Sequence, residues 1–516
     1  MNKIAVIELG TMSIKLVLAH VLPSESFVVF DEVVEPLKLG EDMDKDGIIK
    51  LANIQETVNA LKMFRALCDS HEITDIFAFT TKAVREAKNQ KSFLEEMYNQ
   101  SGFAFKVLTE EEQLKGLYTG VINTLDVPKG LIVEIGGTGV QLIAYNRRTI
   151  LNQTIVDLGA LNLAEKYDES ELSAEERSAA MVKDFKEELN KLEWVKAIEP
   201  EYAIVGVGTN IENIVKINQK QKRYPIDAVH AYEMKLEDVD GVYNLIKGLD
   251  ADKTRKIKGI SSDRADVLVS SAAILKAIVE ELKIEKTAVE GEEILERNVV
   301  YSKNGLSEGV LFNKTVSITN DKPITDILGF SLATASDYYN SKPNNDEHVY
   351  NLSMILFKQL KVLHKLTRSY VKVLRVASSM HSVGKRINFY NNTKNAFNVV
   401  LNSNLYGINH KELVLASFVV SSQNLEDFKL TDWVKYKDLV TEEDIIAVQR
   451  LAVIVKIAAA LDRFMKKRVI DVNCDILGDS VIMKTILDGK AVLEIREATK
   501  TAEDFKKAYG KNLEIL

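Results

Sequence analysis

Short apolar runs separated by polar turns dominate the first part of the chain: IAVIEL, IKLVLAHV, SFVVFDEV, DIFAFT and FAFKVL. Their β-branched and aromatic content and their shortness predict strands. Between them, NIQETVNALKMFRALCDS and KSFLEEMYNQ place apolar residues at three- and four-residue spacing, which predicts helices. The plan then restarts with GLIVEI, VQLIAYN and TILNQTIVDL, an acidic helical stretch over 168–198, and a strand with a glycine turn, YAIVGVGTNI. Strands interleaved with helices predict α/β domains with largely buried sheets.

From about residue 320 the pattern turns helical, in EHVYNLSMILFKQLKVLHKLTRSYVKVLRVASSMHSVG, HKELVLASFVVSSQ and EEDIIAVQRLAVIVKIAAALDRFMKK. The stretch SKPNNDE (341–347) reads as a helix start. Strands return near the end, as VIDVNC, SVIMKTIL and AVLEIRE, before a last helix at AEDFKKAYG. The predicted division is two α/β domains over 1–124 and 125–318, a helical domain over 319–468 and a small α+β domain over 469–516.

Two stretches inside the α/β part share one plan. IELGTMS (7–13) and VEIGGTGVQL (133–142) each set an acid and then glycine and hydroxyl residues at the end of a buried strand. Such turns gather backbone N–H groups into a concavity that suits phosphate oxygens. Gly10, Thr11 and Ser13 form one candidate cradle, and Gly136, Gly137, Thr138 and Gly139 the other. Glu8 and Glu134, just before them, could hold Mg²⁺ directly or through water. Facing each other, the turns would grip a phosphate chain from both sides. No G-x-x-x-x-G-K-[ST] stretch occurs, so a P-loop is excluded.

Composition narrows the classes. A chain of 516 residues is too long for one core, and 46% hydrophobic with 28% charged residues describes an ordinary globular protein. There is no uncharged apolar run of the length a membrane-spanning helix needs. A leader cleaved from MNKIAVIELG would remove the first site strand, so the chain reads as cytoplasmic. Cys68 and Cys474 lie far apart and read as buried reduced thiols. A net charge of −8 argues against wholesale nucleic-acid binding, and no amphipathic basic helix argues for a membrane surface. Basic residues are concentrated over 361–375 and at Lys466, Lys467 and Arg468, which by themselves read as solvated helix faces.

Paired acidic glycine turns are the hallmark of the actin, sugar-kinase and Hsp70-like ATPase superfamily. Within it the chain most resembles the exopolyphosphatase / guanosine pentaphosphate phosphohydrolase (Ppx/GppA) family, long form. Glu8 to Ser13 resembles the family's D-x-G-S-N-S, and TTKAVREAKN (80–89) its A-T-x-A-x-R-x-A-x-N. LTEEEQLKGLYTGV (108–121) resembles S-G-x-E-E-A-x-x-x-x-x-G-V, and IVEIGGTGVQL resembles I-D-I-G-G-G-S-T-E-L. DRADVLVSSAAIL (263–275) and NGLSEGVLF (304–312) are similar to the end of its second domain. MHSVGKRIN (380–388), LNSNLYGI (401–408) and KIAAALDR (456–463) resemble its helical, HD-like domain.

The resemblance implies two actin-like (ribonuclease H-like) domains, an HD-like helical domain, a small α+β tail and a homodimer. It further implies Mg²⁺-dependent release of terminal phosphate from inorganic polyphosphate or guanosine pentaphosphate. Arg85 would sit near the transferred group, and Arg368, Arg375, Lys385, Arg386 and Lys394 would contact the polyphosphate tail.

The carboxylates depart from the family's pattern. Both turn aspartates read Glu8 and Glu134, and the acid closing the second turn is Gln141. In E-E-A the first acid falls on Glu112 and the second, the water-activating base, on Gln113. Glutamine orients a water but accepts no proton from it. A slip that makes Glu112 or Glu111 the base is one alternative. The other reads Glu110, Glu111 and Glu112 as an acidic helix start capped by Thr109. The HD-like part is also stripped, because Ser382 follows His381, and Asn395 and Ser422 stand where relatives carry histidines. The functional readings are therefore an exopolyphosphatase-type hydrolase and a weakened polyphosphate or alarmone sensor using the same cleft. A nucleotide-hydrolysing or sugar-phosphorylating cousin is a third.

Overall fold

The computed structural model describes residues 2–40, 47–168, 170–257, 260, 264–282, 297–316, 323–339, 343–422 and 430–516. They form two compact units, Met1–Thr325 and Asp326–Leu516.

The first unit holds two sheets of one design. Strands β1 (Asn2–Leu9), β2 (Ser13–Val21), β3 (Phe27–Pro36), β4 (Asp75–Thr80) and β5 (Phe105–Val107) lie in the order β3-β2-β1-β4-β5. The first three form an antiparallel meander, and β4 and β5 extend it in parallel. The second sheet comprises β6 (Lys129–Ile135), β7 (Val140–Asn146), β8 (Thr149–Val156), β9 (Ala203–Val207), β10 (Glu233–Lys235) and β11 (Asn298–Ser302). Their order β10-β11-β9-β6-β7-β8 repeats the meander and its parallel extension, with β10 added antiparallel at the edge. β1 and β6 are buried on both faces, as their unbroken aliphatic runs require.

The helices that cover these sheets cross between the halves. Leu51–Ser70 and Gln90–Ser101 pack Leu61, Phe64, Phe93 and Met97 on one face of the first sheet. Its other face is covered by Leu306–Thr315, which the boundary at 318 had assigned to the second domain. Phe312 meets Phe27 edge-on at 4.9 Å, and Lys314 lies 3.9 Å from the Phe77 ring centroid. Reciprocally, Glu110–Ile122 from the first half packs Leu117, Tyr118 and Val121 onto Ile132, Ile143 and Tyr145 of the second sheet. The two crossing helices touch through glycines. A Cβ on Gly120 would land on the Gly305 carbonyl, and one on Gly309 on the Gly116 carbonyl.

The second unit is helical, with a three-stranded sheet of β12 (Val469–Leu477), β13 (Ser480–Leu487) and β14 (Asn512–Ile515). This sheet belongs to the same compact unit as the helices. Lys456 of Glu442–Leu461 meets Asp504 at 2.6 Å, and Tyr509 donates to the Arg450 carbonyl at 2.9 Å. AVLEIRE, expected as a strand, lies in the helix Val492–Thr499, where Glu494 and Ala498 are buried one turn apart. The long helical pattern after residue 347 is broken at Lys365, whose φ is +56°. There His364 stacks on Phe357, donates to its carbonyl at 2.6 Å and accepts from the Leu366 N–H. Cys68 is buried and Cys474 partly so, both as free thiols.

Candidate active site

The two hairpins carry the site, and their backbones match. Gly10 N–H donates to the Ser13 carbonyl at 2.9 Å, and Gly136 N–H to the Gly139 carbonyl at 2.9 Å. Antiparallel register sets Lys15 opposite Glu8 and Gln141 opposite Glu134. The turn tips touch, since a Cβ on Gly137 would lie 2.8 Å from Met12 Cγ and 3.3 Å from Thr11 Cγ2. Among the described residues, nothing accepts from the N–H groups of Thr11, Met12, Gly137 or Thr138. These amides are therefore available to an anion.

One open cavity of about 210 Å³ contains both turns. Glu8, Gly10, Thr11, Ser13, Gln113, Glu134, Gly136, Gly137, Thr138, Gly139 and Gln141 all line it. The helix Thr209–Gln221 starts at its wall after Gly208 (φ +85°), adding a positive helix end.

The floor is electrostatically loaded. Ser307 donates to Glu8 at 2.5 Å, and Lys15 bonds Glu308 at 3.0 Å and lies 3.5 Å from Glu32. Burial lifts the Glu8 carboxyl above its usual range, against the pull of Lys15. Burial also disfavours the Lys15 ammonium, but Glu308, Glu32 and Glu8 together outweigh it and hold its pKa up. Glu308 stays below the usual carboxylate range despite burial, because Lys15 and the Gly305 N–H favour its charged form. Among the described residues, Glu134 has only the Gln141 amide as a direct hydrogen-bond donor, and burial followed by repulsion from Glu8 pushes it up to about 8.

Gln113 is buried at the cavity wall, and its Oε1 accepts from Arg85 Nη1 at 3.2 Å. Guanidinium has donors only, so the oxygen end must face Arg85 and the NH₂ end is left to the cavity. Arg85 itself stands behind Gln113, bonded to the Leu108 carbonyl at 3.0 Å and 3.6 Å from Glu110. Glu112 is no candidate base. It closes a capping box with Thr109 and bonds Lys106 at 2.5 Å, outside the cavity. Glu111 pairs with Lys115 at 2.7 Å on the same exposed turn. The acidic run is thus a capped helix start, favoured there by the helix dipole.

Sequence reasoning missed Lys15, Lys82, Arg264, Ser307 and Glu308, all of which line the cavity. Arg264 donates to Ser13 Oγ at 2.9 Å. Lys15 alone was legible, from the hairpin register that sets it opposite Glu8.

The tail candidates lie in the second unit. Arg375 makes a two-pronged ion pair with Asp326, at 2.8 and 2.6 Å. Lys385 and Arg386 are exposed on the short helix Val383–Arg386, and Arg368 and Lys394 are exposed as well. His381 bonds the Ser378 carbonyl at 2.8 Å, and burial lowers its pKa to about 4. Among the described residues, no three His, Cys, Asp or Glu side chains are grouped to hold a metal, and no helix is long and apolar enough to cross a membrane.

The profile of the Ppx/GppA phosphatase family matches residues 23–317, and that of Ppx/GppA phosphatase, domain III, matches residues 335–495. A bifunctional 3-dehydroquinate synthase/phosphatase of Fusobacterium nucleatum is 25% identical over 54% of this chain, which spans only 43% of that protein's length. A guanosine-5'-triphosphate,3'-diphosphate pyrophosphatase of Aeromonas salmonicida is 24% identical over 83% of this chain and 81% of its own. In fold, the chain is similar to an exopolyphosphatase from Cytophaga hutchinsonii, with a TM-score of 0.55 and 19% identity over 62% of this chain and 99% of that one.

Proposed function

Because the chain belongs to the Ppx/GppA phosphatase family, we propose that it grips the terminal phosphoryl groups of a phosphoanhydride between its hairpin turns and hydrolyses them slowly. The ligand is inorganic polyphosphate or guanosine pentaphosphate, the classes named for its relatives. Both sets of turn amides, the helix start at Gly208 and Arg264 present donors to one small cavity, which suits the oxygens of a phosphate chain end.

One observation carries the slow rate: the Gln113 oxygen is held by Arg85 and its amide nitrogen is left to the cavity. A donor at that position orients a phosphoryl oxygen or a water without taking a proton. In-line hydrolysis then lacks the general-base contribution of about 10²–10⁴-fold.

Glu8 and Glu134 favour retained Mg²⁺ chemistry. Burial raises the pKa of both, and Glu8 adds repulsion at Glu134, a cost that a bound divalent cation would relieve. One or two carboxylates plus ligand phosphates form a customary Mg²⁺ set. When bound, the ion would offset charge on the phosphoryl oxygens. Around it, Ser307 and Gln141 orient the two carboxylates, and Lys15 keeps Glu308 ionised. The homodimer implied by the resemblance belongs to the same reading.

The test incubates the purified chain with long-chain polyphosphate or guanosine pentaphosphate and Mg²⁺, measuring binding by calorimetry and orthophosphate release. The expected result is binding with slow Mg²⁺-dependent release above background, whereas binding without any release would favour a sensor using the same cleft. Rapid release would make it an ordinary family hydrolase, and absence of binding to either would end the phosphoanhydride reading.

A further inference from the structure

Lys82 belongs to none of the turns, yet its ammonium sits over the second one. It starts the short helix Lys82–Glu86 in the first half of the unit. From there it donates to the Thr138 carbonyl at 3.2 Å and lies close to Gly139, 3.7 Å from where a Cβ there would be. Its side chain is 14% exposed and lines the cavity, so this cation is held at the mouth of the phosphate cradle. Its one anionic partner among the described residues is Asp157, at 2.5 Å, on the loop after β8. Asp157 is 79% exposed, so water competes well for its carboxylate and the pair is worth little.

We propose that Lys82 is a phosphate-binding residue whose site Asp157 occupies until ligand arrives, the aspartate carboxylate standing in for a phosphoryl oxygen. The inference rests on the phosphoanhydride reading and adds to it a contact made from the opposite half of the cleft. Asp157 and a phosphoryl group compete for one ammonium. The phosphoryl group carries more charge and is also held by the turn amides, so it displaces the exposed carboxylate. Lys82 then joins the two halves through the ligand, replacing the direct link to Asp157.

The experiment measures tripolyphosphate binding by calorimetry with the full chain and with Lys82→Met, Lys82→Arg, Asp157→Asn and the double variant Lys82→Met/Asp157→Asn, after thermal melts establish that each is folded. Lys82→Met is expected to weaken binding about 10- to 100-fold, as loss of one charge-assisted contact does. Lys82→Arg should keep most of it. Asp157→Asn should tighten binding about two- to five-fold, and the double variant should equal Lys82→Met alone. Equal tightening by Asp157→Asn with and without Lys82 would mean simple repulsion of an anion by Asp157, and would overturn the competition. Unchanged binding in Lys82→Met would overturn the contact itself. Absence of binding by the unmodified chain would instead overturn the underlying phosphoanhydride reading.

Discussion

Restoring a carboxylate with Gln113→Glu tests whether the cavity wall beside Arg85 is the place for a base. The new side chain would meet a guanidinium already 3.2 Å from the Gln113 oxygen and held by the Leu108 carbonyl. Its charge would therefore be paired, and stability should change by only about 1 kcal/mol, where an unpaired buried charge would cost several. The same pairing limits the gain. A cation at hydrogen-bond distance lowers a carboxylate pKa by about 1–3 units, which weakens the base and places the acceleration near the low end of the general-base range. About 10²-fold, or roughly 2.7 kcal/mol of barrier, is expected. Initial rates of phosphate release from polyphosphate with Mg²⁺, alongside urea midpoints, measure both quantities. Glu112→Gln serves as the control and should leave the rate unchanged while costing about 1 kcal/mol of cap stability. A folded, ligand-binding Gln113→Glu variant with no added rate refutes the assignment. A stability loss above about 3 kcal/mol refutes the pairing with Arg85.

Further outcomes follow from the floor and the packing. Glu134 keeps its proton to about pH 8 when folded and loses it near 4.5 when unfolded, so it destabilises the metal-free fold progressively as pH rises between those values. Glu134→Gln should therefore stabilise the chelator-treated protein by about 2–4 kcal/mol at pH 9 and hardly at all at pH 4.5, and a pH-independent difference would contradict this. His381 has the opposite sign. Its folded pKa near 4 lies below the unfolded value of 6.5, so stability falls as pH drops through that window. His381→Gln should flatten that slope in urea melts of the full chain, by about 1–3 kcal/mol. Gly120→Ala should cost about 3 kcal/mol or more in thermal melts, because backbone on the facing helix cannot yield. Gly241→Ala, with nothing near its added methyl, should gain about 0.5–1 kcal/mol.

Much of the first unit was legible because its strands are short and uniformly apolar, and because two hairpins repeat one chemical plan. The acid, glycine and hydroxyl residues of both turns could be placed in one cleft before any coordinates. Glu112 could not be separated from Gln113 by sequence, since neighbours on one helical turn differ only in direction. Thr109 and Lys106 decide that direction. Lys82 was invisible because its partners, Thr138 and Asp157, come from the other half of the unit. The helix break at Lys365 has no glycine or proline to announce it and depends on where His364 finds its hydrogen bonds. The strands NVVYS and NLEI were missed as short runs, made strands only by the neighbours they pair with.

The exchange of helices at the glycine crossing has a consequence for how this chain can be cut. A fragment ending near residue 124 would carry Leu117, Tyr118 and Val121 with nothing to rest on, and would leave the surface beneath Phe312 bare. The complementary fragment would have the mirror-image defect. Neither lobe is therefore a self-sufficient folding piece, and the pair should be inherited, expressed and unfolded as one indivisible block.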